Sequence, residues 1–236
     1  MSDTASTIAR LDLLAASLSA PRRPAAELRL RRWLRLHGDR IATRLLDVIV
    51  AGSVLALFAP VWAAIAFLVR RDGGPALYWQ TRVGLHGREF PFPKFRSMVV
   101  DADRLRANLE AANEHGSGIT FKMENDPRIT RIGRFLRRTS LDEMPQLWCV
   151  LRGDMALVGP RPALPAEVAR YSVAQRRRLD GRPGLTCTWQ VSGRSQIPFS
   201  GQVVMDVDYI RTRSFGGDLV LLLKTVPAVL FGRGAS

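Results

Sequence analysis

An uninterrupted apolar stretch from Val48 to Val69, 22 residues without a charge, constrains this chain more than any other feature. As a straight helix it would reach about 33 Å, enough to cross the hydrocarbon core of a bilayer. Pro60 lies near its middle, where it lacks an amide donor and its ring presses on the carbonyl of Ala56, so a bend is expected there. Both flanks are basic, with Arg40 and Arg44 before the run and Arg70 and Arg71 after it. Positive charge favours the cytoplasmic side, so a straight span would break that preference at one end, whereas a helix that enters and turns back satisfies it at both. These arguments alone leave a re-entrant hairpin and a full span both open.

With 236 residues the chain is long enough for one catalytic-sized domain with a real core. Hydrophobic residues at 47% exclude a wholly disordered chain, and a mean hydropathy of −0.01 is too polar for a transporter of many spans. Thirty-five basic against 21 acidic residues leave +14, which calls for an anionic partner: nucleic acid, lipid headgroups or a phosphorylated substrate. Among the basic residues only Lys94, Lys122 and Lys224 are lysines. Arginine's forked donors suit phosphate, although a GC-rich genome produces the same bias. Cys149 and Cys187 stand far apart without a CxxC, which speaks against a disulfide framework and a cysteine zinc site. His37, His86 and His115 are dispersed and read as surface or packing residues.

Residues 1–40 read as a basic, flexible lead-in containing Pro21-Arg22-Arg23-Pro24. No secretory signal is visible, since the first long apolar run begins only at Leu45. Residues 41–72 carry the membrane segment, and 73–236 form the remaining domain. Within it, Ala76 to Met98 alternates aromatic, β-branched and polar residues around Gly84 and Gly87, the pattern of a small β-hairpin. Asp101 to Asn113 has helical periodicity, followed by a Gly116-Ser117-Gly118 loop. Ile129 to Leu151 is helical, broken at Thr139-Ser140 and by Pro145. Asp218 to Phe231 is apolar with a Pro227 break, too short to span and suited to lie in the interface. The fold class is α+β, mostly helical.

The densest polar constellation runs from Glu124 to Arg138 into Thr139-Ser140-Leu141-Asp142-Glu143-Met144-Pro145. Arg128, Arg131, Arg134 and Arg137 recur every third residue and would form a cationic strip on a helix. Ser140 and Glu143 have capping-box spacing, which would set Asp142 and Glu143 in a first helical turn beside free backbone amides. Most such matches are only helix caps. In a basic context, however, two adjacent carboxylates can divide labour, one attacking an electrophile and the other holding a hard divalent cation. Arg161, between Pro160 and Pro162, sits on a backbone with little freedom, so its guanidinium is held at low entropic cost. The run Arg176-Arg177-Arg178 reads as a solvated helix face, which in a protein docked on anionic lipid would also reach headgroups.

Four blocks together, Lys94-Phe95-Arg96-Ser97-Met98, NDPRITRIGRFLRRTSLDEMPQLW, GDMALVGPRP and RRRLDGRPGLTCTWQVSGR, resemble the bacterial sugar transferase family, the monotopic polyprenyl-phosphate phosphoglycosyl transferases. The resemblance covers roughly residues 40 to 236. It implies transfer of a sugar 1-phosphate from a UDP-sugar to undecaprenyl phosphate with release of UMP, by a ping-pong course that starts an exopolysaccharide or other surface glycoconjugate. It implies Asp142 as nucleophile, Glu143 as its Mg²⁺-binding partner, and Lys94, Arg96, Arg137, Arg161 and Arg194 as phosphate or nucleotide contacts. It further implies a monotopic enzyme with one re-entrant, proline-broken helix and interfacial helices, set in the bacterial inner membrane among anionic lipids with its catalytic domain on the cytoplasmic face. A homodimer is left open, and no nucleic acid is expected.

The Arg44-Leu45-Leu46-Asp47 start is similar to the family's helix entry, and with Pro60 it favours the re-entrant form. Where the family breaks this helix at a Ser-Pro pair, Ala59-Pro60 stands here, and Cys187-Thr188 replaces a Gly-hydrophobic pair. The rivals are a membrane-tethered basic nucleic-acid-binding protein, which shows no zinc spacing or clear helix-turn-helix, and a glycosyltransferase that would release UDP.

Overall fold

The computed structural model describes residues 25–106, 126–193 and 196–230. The chain divides between Ile41 and Ala42, and the packing described below is that of the longer part. Helix α1 (Ala25–Leu57) and helix α2 (Ala59–Arg70) carry the apolar run. The break falls at Phe58, and Pro60 takes its place in the first turn of α2, where its missing N–H has no helical partner to lose. The helix axes bend by 63° between Gly38–Leu57 and Ala59–Arg70. Among the described residues no single helix is long and apolar enough to cross a membrane; this bent pair passes that test jointly, by length and composition. Ile49, Leu57 and Phe67 on its outer side are exposed, while Ala51, Ile65 and Val69 are buried.

Arg44 and Asp47 fasten α1 to the domain rather than facing outward. Arg44 donates from Nη1 to the carbonyl of Val150 at 2.6 Å and from Nη2 to that of Leu151 at 2.7 Å. Asp47, buried, accepts the Leu157 amide at 2.9 Å.

The expected hairpin forms from β1 (Leu77–Val83) and β2 (Glu89–Phe95), antiparallel with Tyr78 opposite Lys94 and Arg82 opposite Phe90. The turn requires a positive φ at Gly87 and His86. Alternation along β2 sends Phe90 and Phe92 into the main core, with Lys94 on the same face, and Phe95 to the opposite face beside Ile65, Val69 and Leu136.

Helix α3 (Ala102–Arg106) is the described part of the expected Asp101–Asn113 helix; residues 107–113 and the Gly116-Ser117-Gly118 loop lie outside the described residues. Helix α4 (Arg131–Arg138), a 3₁₀ segment (Leu141–Gln146) and helix α5 (Leu147–Arg152) reproduce the expected break at Thr139-Ser140, but Pro145 does not break the chain, since it lies inside the tighter 3₁₀ coil that runs on to Gln146 and into α5. Strand β3 (Ala156–Val158) pairs in parallel with β4 (Gly184–Thr186), a second small sheet that the alternation signal missed because each strand has only three residues.

Between them lie helices α6 (Pro165–Ala169) and α7 (Val173–Arg176) and a 3₁₀ turn Arg177–Asp180. Helix α8 (Phe199–Thr212) leads to α9 (Phe215–Leu230). The expected break at Pro227 does not occur: α9 runs through it to Leu230. One side of α9 packs through Leu221 and Leu222 on the main core, and Leu223 and Val226 are exposed. Cys149 and Cys187 are free and buried.

Candidate active site

The site is assembled where the hairpin, the 3₁₀ segment and the Pro160–Ala163 turn meet. Thr130 caps α4 by accepting the Gly133 amide at 2.9 Å, so α4 starts at a fixed point and ends at Thr139. Ser140 then adopts a left-handed conformation with φ 57°, uncommon for a residue with a Cβ. The expected capping box is therefore absent. The Ser140 side chain makes no cap bond, and the Glu143 amide instead donates to the Ser140 carbonyl at 3.3 Å. That strained reversal turns Asp142 inward, where it is 8% exposed, and leaves Glu143 facing the hairpin.

Glu143 is gripped from two sides. Arg161 approaches through Nη2 at 2.6 Å from Oε1 and Nη1 at 3.4 Å from Oε2, and Lys94 Nζ lies 3.1 Å from Oε1. Burial alone would push the Glu143 carboxyl up, but Arg161 and then Lys94 override it and hold the carboxyl far below the usual range. Burial pushes Asp142 up; Lys94, Arg137 and Arg161 pull against this, while the Glu143 charge adds to it. The two neighbours thus sit in opposite electrostatic environments, which is how adjacent carboxylates acquire different tasks.

Arg161 is immobilised by its backbone. The Pro160 carbonyl accepts the Gly184 amide at 3.0 Å, and the Val83 amide donates to the Ala163 carbonyl at 2.9 Å, so the turn is sewn to β4 on one side and β1 on the other. Gly184 and Gly159 allow this closeness: a Cβ on Gly184 would stand 2.0 Å from the Gly159 nitrogen.

Of the residues singled out in the sequence, the structure brings Lys94, Asp142, Glu143 and Arg161 together, with the Arg137 charge near enough to act on Asp142. It does not bring Arg96 to them. Arg96 is buried, donates to the Val69 carbonyl at 2.8 Å and pairs with Asp72, so it latches the end of α2 to the hairpin. Arg194 lies outside the described residues. The cationic strip is also interrupted, because Arg128 precedes α4 and is buried against Asp126 at 2.6 Å. Arg178 likewise leaves the solvated face assigned to it; it is buried and paired with Asp206 at 2.6 Å. Sequence reasoning missed Arg82, whose guanidinium carbon lies 5.2 Å from the centre of the Phe92 ring, with Lys94 Nζ at 5.5 Å from the same ring. The signal was present in the alternation, since Gln80 and Arg82 share a face with Phe92 and Lys94.

No cluster of three or more His, Cys, Asp or Glu that could hold a metal occurs among the described residues. A hard divalent cation that completes its shell with water and substrate oxygens needs only one or two carboxylates, and Asp142 and Glu143 are donors of that type, with Glu143 Oε1 here bonded to Arg161 and Lys94.

A family model described as Bacterial sugar transferase matches residues 38–232, a span that contains every residue of this site. The chain belongs to the bacterial sugar transferase family. Similar members include a galactosyl transferase CpsE of Streptococcus agalactiae, 46% identical over 202 residues, covering 84% of this chain and 44% of that protein. The undecaprenyl-phosphate galactose phosphotransferase of Salmonella typhimurium is 41% identical over 211 residues, covering 88% of this chain and 44% of its own length. The exopolysaccharide production protein ExoY of Rhizobium meliloti is 41% identical over 201 residues, 83% of this chain and 88% of ExoY. The chain thus spans under half the length of the first two relatives and most of the length of the third.

Proposed function

We propose that this sugar transferase moves a sugar 1-phosphate from a UDP-sugar to undecaprenyl phosphate, releasing UMP, and so starts assembly of an exopolysaccharide or related surface glycan. The observation that carries the reading is a buried Asp142 next to a Glu143 clamped by Arg161 and Lys94. A carboxylate held beside two fixed cations can attack a phosphorus whose equatorial oxygens those cations neutralise.

In the first half-reaction an Asp142 oxygen bonds to the β-phosphorus of the donor. The bond from that phosphorus to the bridging oxygen breaks, and UMP departs with the electron pair. In the second half-reaction a phosphate oxygen of undecaprenyl phosphate bonds to the same phosphorus, the bond to Asp142 breaks and the carboxylate is restored. Lys94 and Arg161 would turn from Glu143 to the phosphate oxygens and hold their charge, and Arg137 adds a third cation near Asp142. Glu143, with Asp142 beside it, would hold Mg²⁺, which supplies further neutralisation of phosphate oxygens when bound.

A soluble, charged donor and an acceptor with a lipid tail meet at headgroup level, which suits the bent α1–α2 pair as a re-entrant anchor in the inner membrane. The exposed apolar side of that pair and its basic flanks support this placement, with the site at the cytoplasmic face and anionic lipids around it.

The test uses UDP-sugars labelled in the β-phosphate. The native chain is expected to release UMP and to acquire label that chases into lipid, whereas Asp142→Asn does neither. Release of UDP, or lipid product formed with an unlabelled polypeptide, would overturn the proposal.

A further inference from the structure

The three arginines buried among the described residues share a habit, from which two half-buried ones, Arg44 and Arg82, differ. Arg96 holds Asp72, Arg128 holds Asp126 and Arg178 holds Asp206, each through a carboxylate, while Arg44 meets the last-turn carbonyls of α5. Arg82 departs from it. It donates from Nη1 to the Pro162 carbonyl at 3.1 Å and from Nη2 to Gln80 Oε1 at 2.7 Å. Both of these partners are neutral. Its Nε is buried without a hydrogen-bond partner among the described residues.

A guanidinium in such a setting has no carboxylate among its direct hydrogen-bond partners, and the surroundings add further cations. Arg82 and Lys94 lie over one Phe92 ring, and Arg161 is the residue before the carbonyl that Arg82 grips. Lys94 and Arg161 share Glu143 between them. Burial pushes the Arg82 pKa down to about 10, with Arg161 pushing the same way against the more distant Glu167 and Glu143 charges, so near neutral pH it remains a cation whose direct hydrogen-bond partners are neutral. Arg44 also meets only carbonyls, but Arg82 differs from it in keeping a buried donor, Nε, without a partner among the described residues.

We propose that Arg82 is a substrate-binding residue whose guanidinium takes a phosphate of the nucleotide, the group that leaves as UMP. The inference rests on the reading of the site as a sugar 1-phosphate transferase site, and it adds a contact on the strand face that the dyad and Arg161 do not supply. Arg82 reaches the site from β1, beside the turn carrying Arg161, so a nucleotide phosphate would be held between strand and turn.

The experiment measures UMP and uridine binding to the full chain in detergent by ligand-observed NMR, for the native protein, Arg82→Gln and Arg82→Lys. Loss of a charge-assisted hydrogen bond weakens UMP about tenfold or more in Arg82→Gln. Uncharged uridine is expected to bind as in the native chain, and Arg82→Lys, which keeps charge without the fork, falls between. UMP binding by Arg82→Gln as tight as native overturns the proposal, and so does an equal loss for UMP and uridine, which marks a structural tie. Should Arg82→Gln fail to fold, Arg82→Lys decides: a severalfold loss for UMP alone supports the assignment, and native affinity overturns it. A native chain that binds UMP through Arg82 but yields no UMP from any UDP-sugar keeps this contact and removes the reaction.

Discussion

Replacing Arg178 should destabilise the fold, and replacing Arg178 together with Asp206 by apolar residues should not. Arg178 and Asp206 are 6% and 1% exposed, with Nε and Nη2 at 2.8 and 2.6 Å from the same Asp206 oxygen. Nη1 donates to the Tyr171 hydroxyl at 3.2 Å, and the guanidinium lies over the Tyr171 and Phe199 rings. Despite this, burial raises the Asp206 carboxyl from 3.8 to about 6, with Arg178 only partly offsetting it. About two pH units correspond to ~3 kcal/mol of desolvation that the pair leaves uncompensated at neutral pH.

Arg178→Met removes the offset and should cost ~3–5 kcal/mol, or roughly 10 °C in Tm for a chain of this size. The deficit has a definite pH dependence. A carboxyl whose folded pKa is raised binds protons more tightly when folded, so its cost is absent below the unfolded value and grows as pH rises to the folded one. The Arg178→Met deficit should therefore shrink on acidification from pH 7 toward 5. Arg178→Met with Asp206→Leu removes both charges, and its stability should return to native or exceed it by up to ~3 kcal/mol. Thermal and denaturant unfolding in one detergent at two pH values gives all these numbers. A double variant as unstable as Arg178→Met, or a deficit that widens on acidification, would refute the reasoning.

Two other outcomes follow from contacts around the site. A Cβ on Gly133 would stand 1.9 Å from the Ser97 carbonyl oxygen, a backbone atom, so Gly133→Ala should destabilise by ~1–3 kcal/mol although alanine is the better helix former; a melting temperature equal to native would contradict this. Arg161→Lys keeps a positive charge but loses the two-nitrogen approach to Glu143, and kcat/KM for UMP release should fall about tenfold or more with little change in Tm, as steady-state assay beside a melting curve would show.

How much of this was legible in the sequence depends on whether a signal was local. The hairpin was readable because Phe90, Phe92 and Lys94 alternate along one strand, and the break in the apolar run was readable because a proline cannot accept an ordinary interior helical position. The dyad was readable as two adjacent acids, but its conformation was not. Ser140-Leu141-Asp142-Glu143 carries the letters of a capping box, and a left-handed Ser140 between α4 and the 3₁₀ segment stands in its place. Arg96 and Arg178 were misread for the same reason. Their partners, Asp72 and Asp206, lie 24 and 28 residues away, and no periodicity links them. Short parallel pairing between β3 and β4 left no trace either, since three-residue strands hold too few alternations to be read.

The arginine surplus acquires a different meaning once these ties are known. A net charge of +14 suggests a molecule that attracts anions over its whole surface. Yet Arg44, Arg96, Arg128 and Arg178 are directed at carbonyls and carboxylates of the fold itself, so these four are not free to meet an outside anion, although their pairing leaves the net charge unchanged. The local surplus at the site is smaller in number and stronger in effect. Arg82, Lys94 and Arg161 surround one clamped Glu143 in partly buried ground, where a charge is screened far less than on the surface. An anion with two or more negative charges gains there from several donors, and a diphosphate offers such charges on a single small group. If the proposed function holds, selectivity for a phosphorylated ligand rests on three residues on a strand face and a proline-stiffened turn, and raising the salt concentration should weaken UMP binding less than it weakens binding to the exposed arginines of α4.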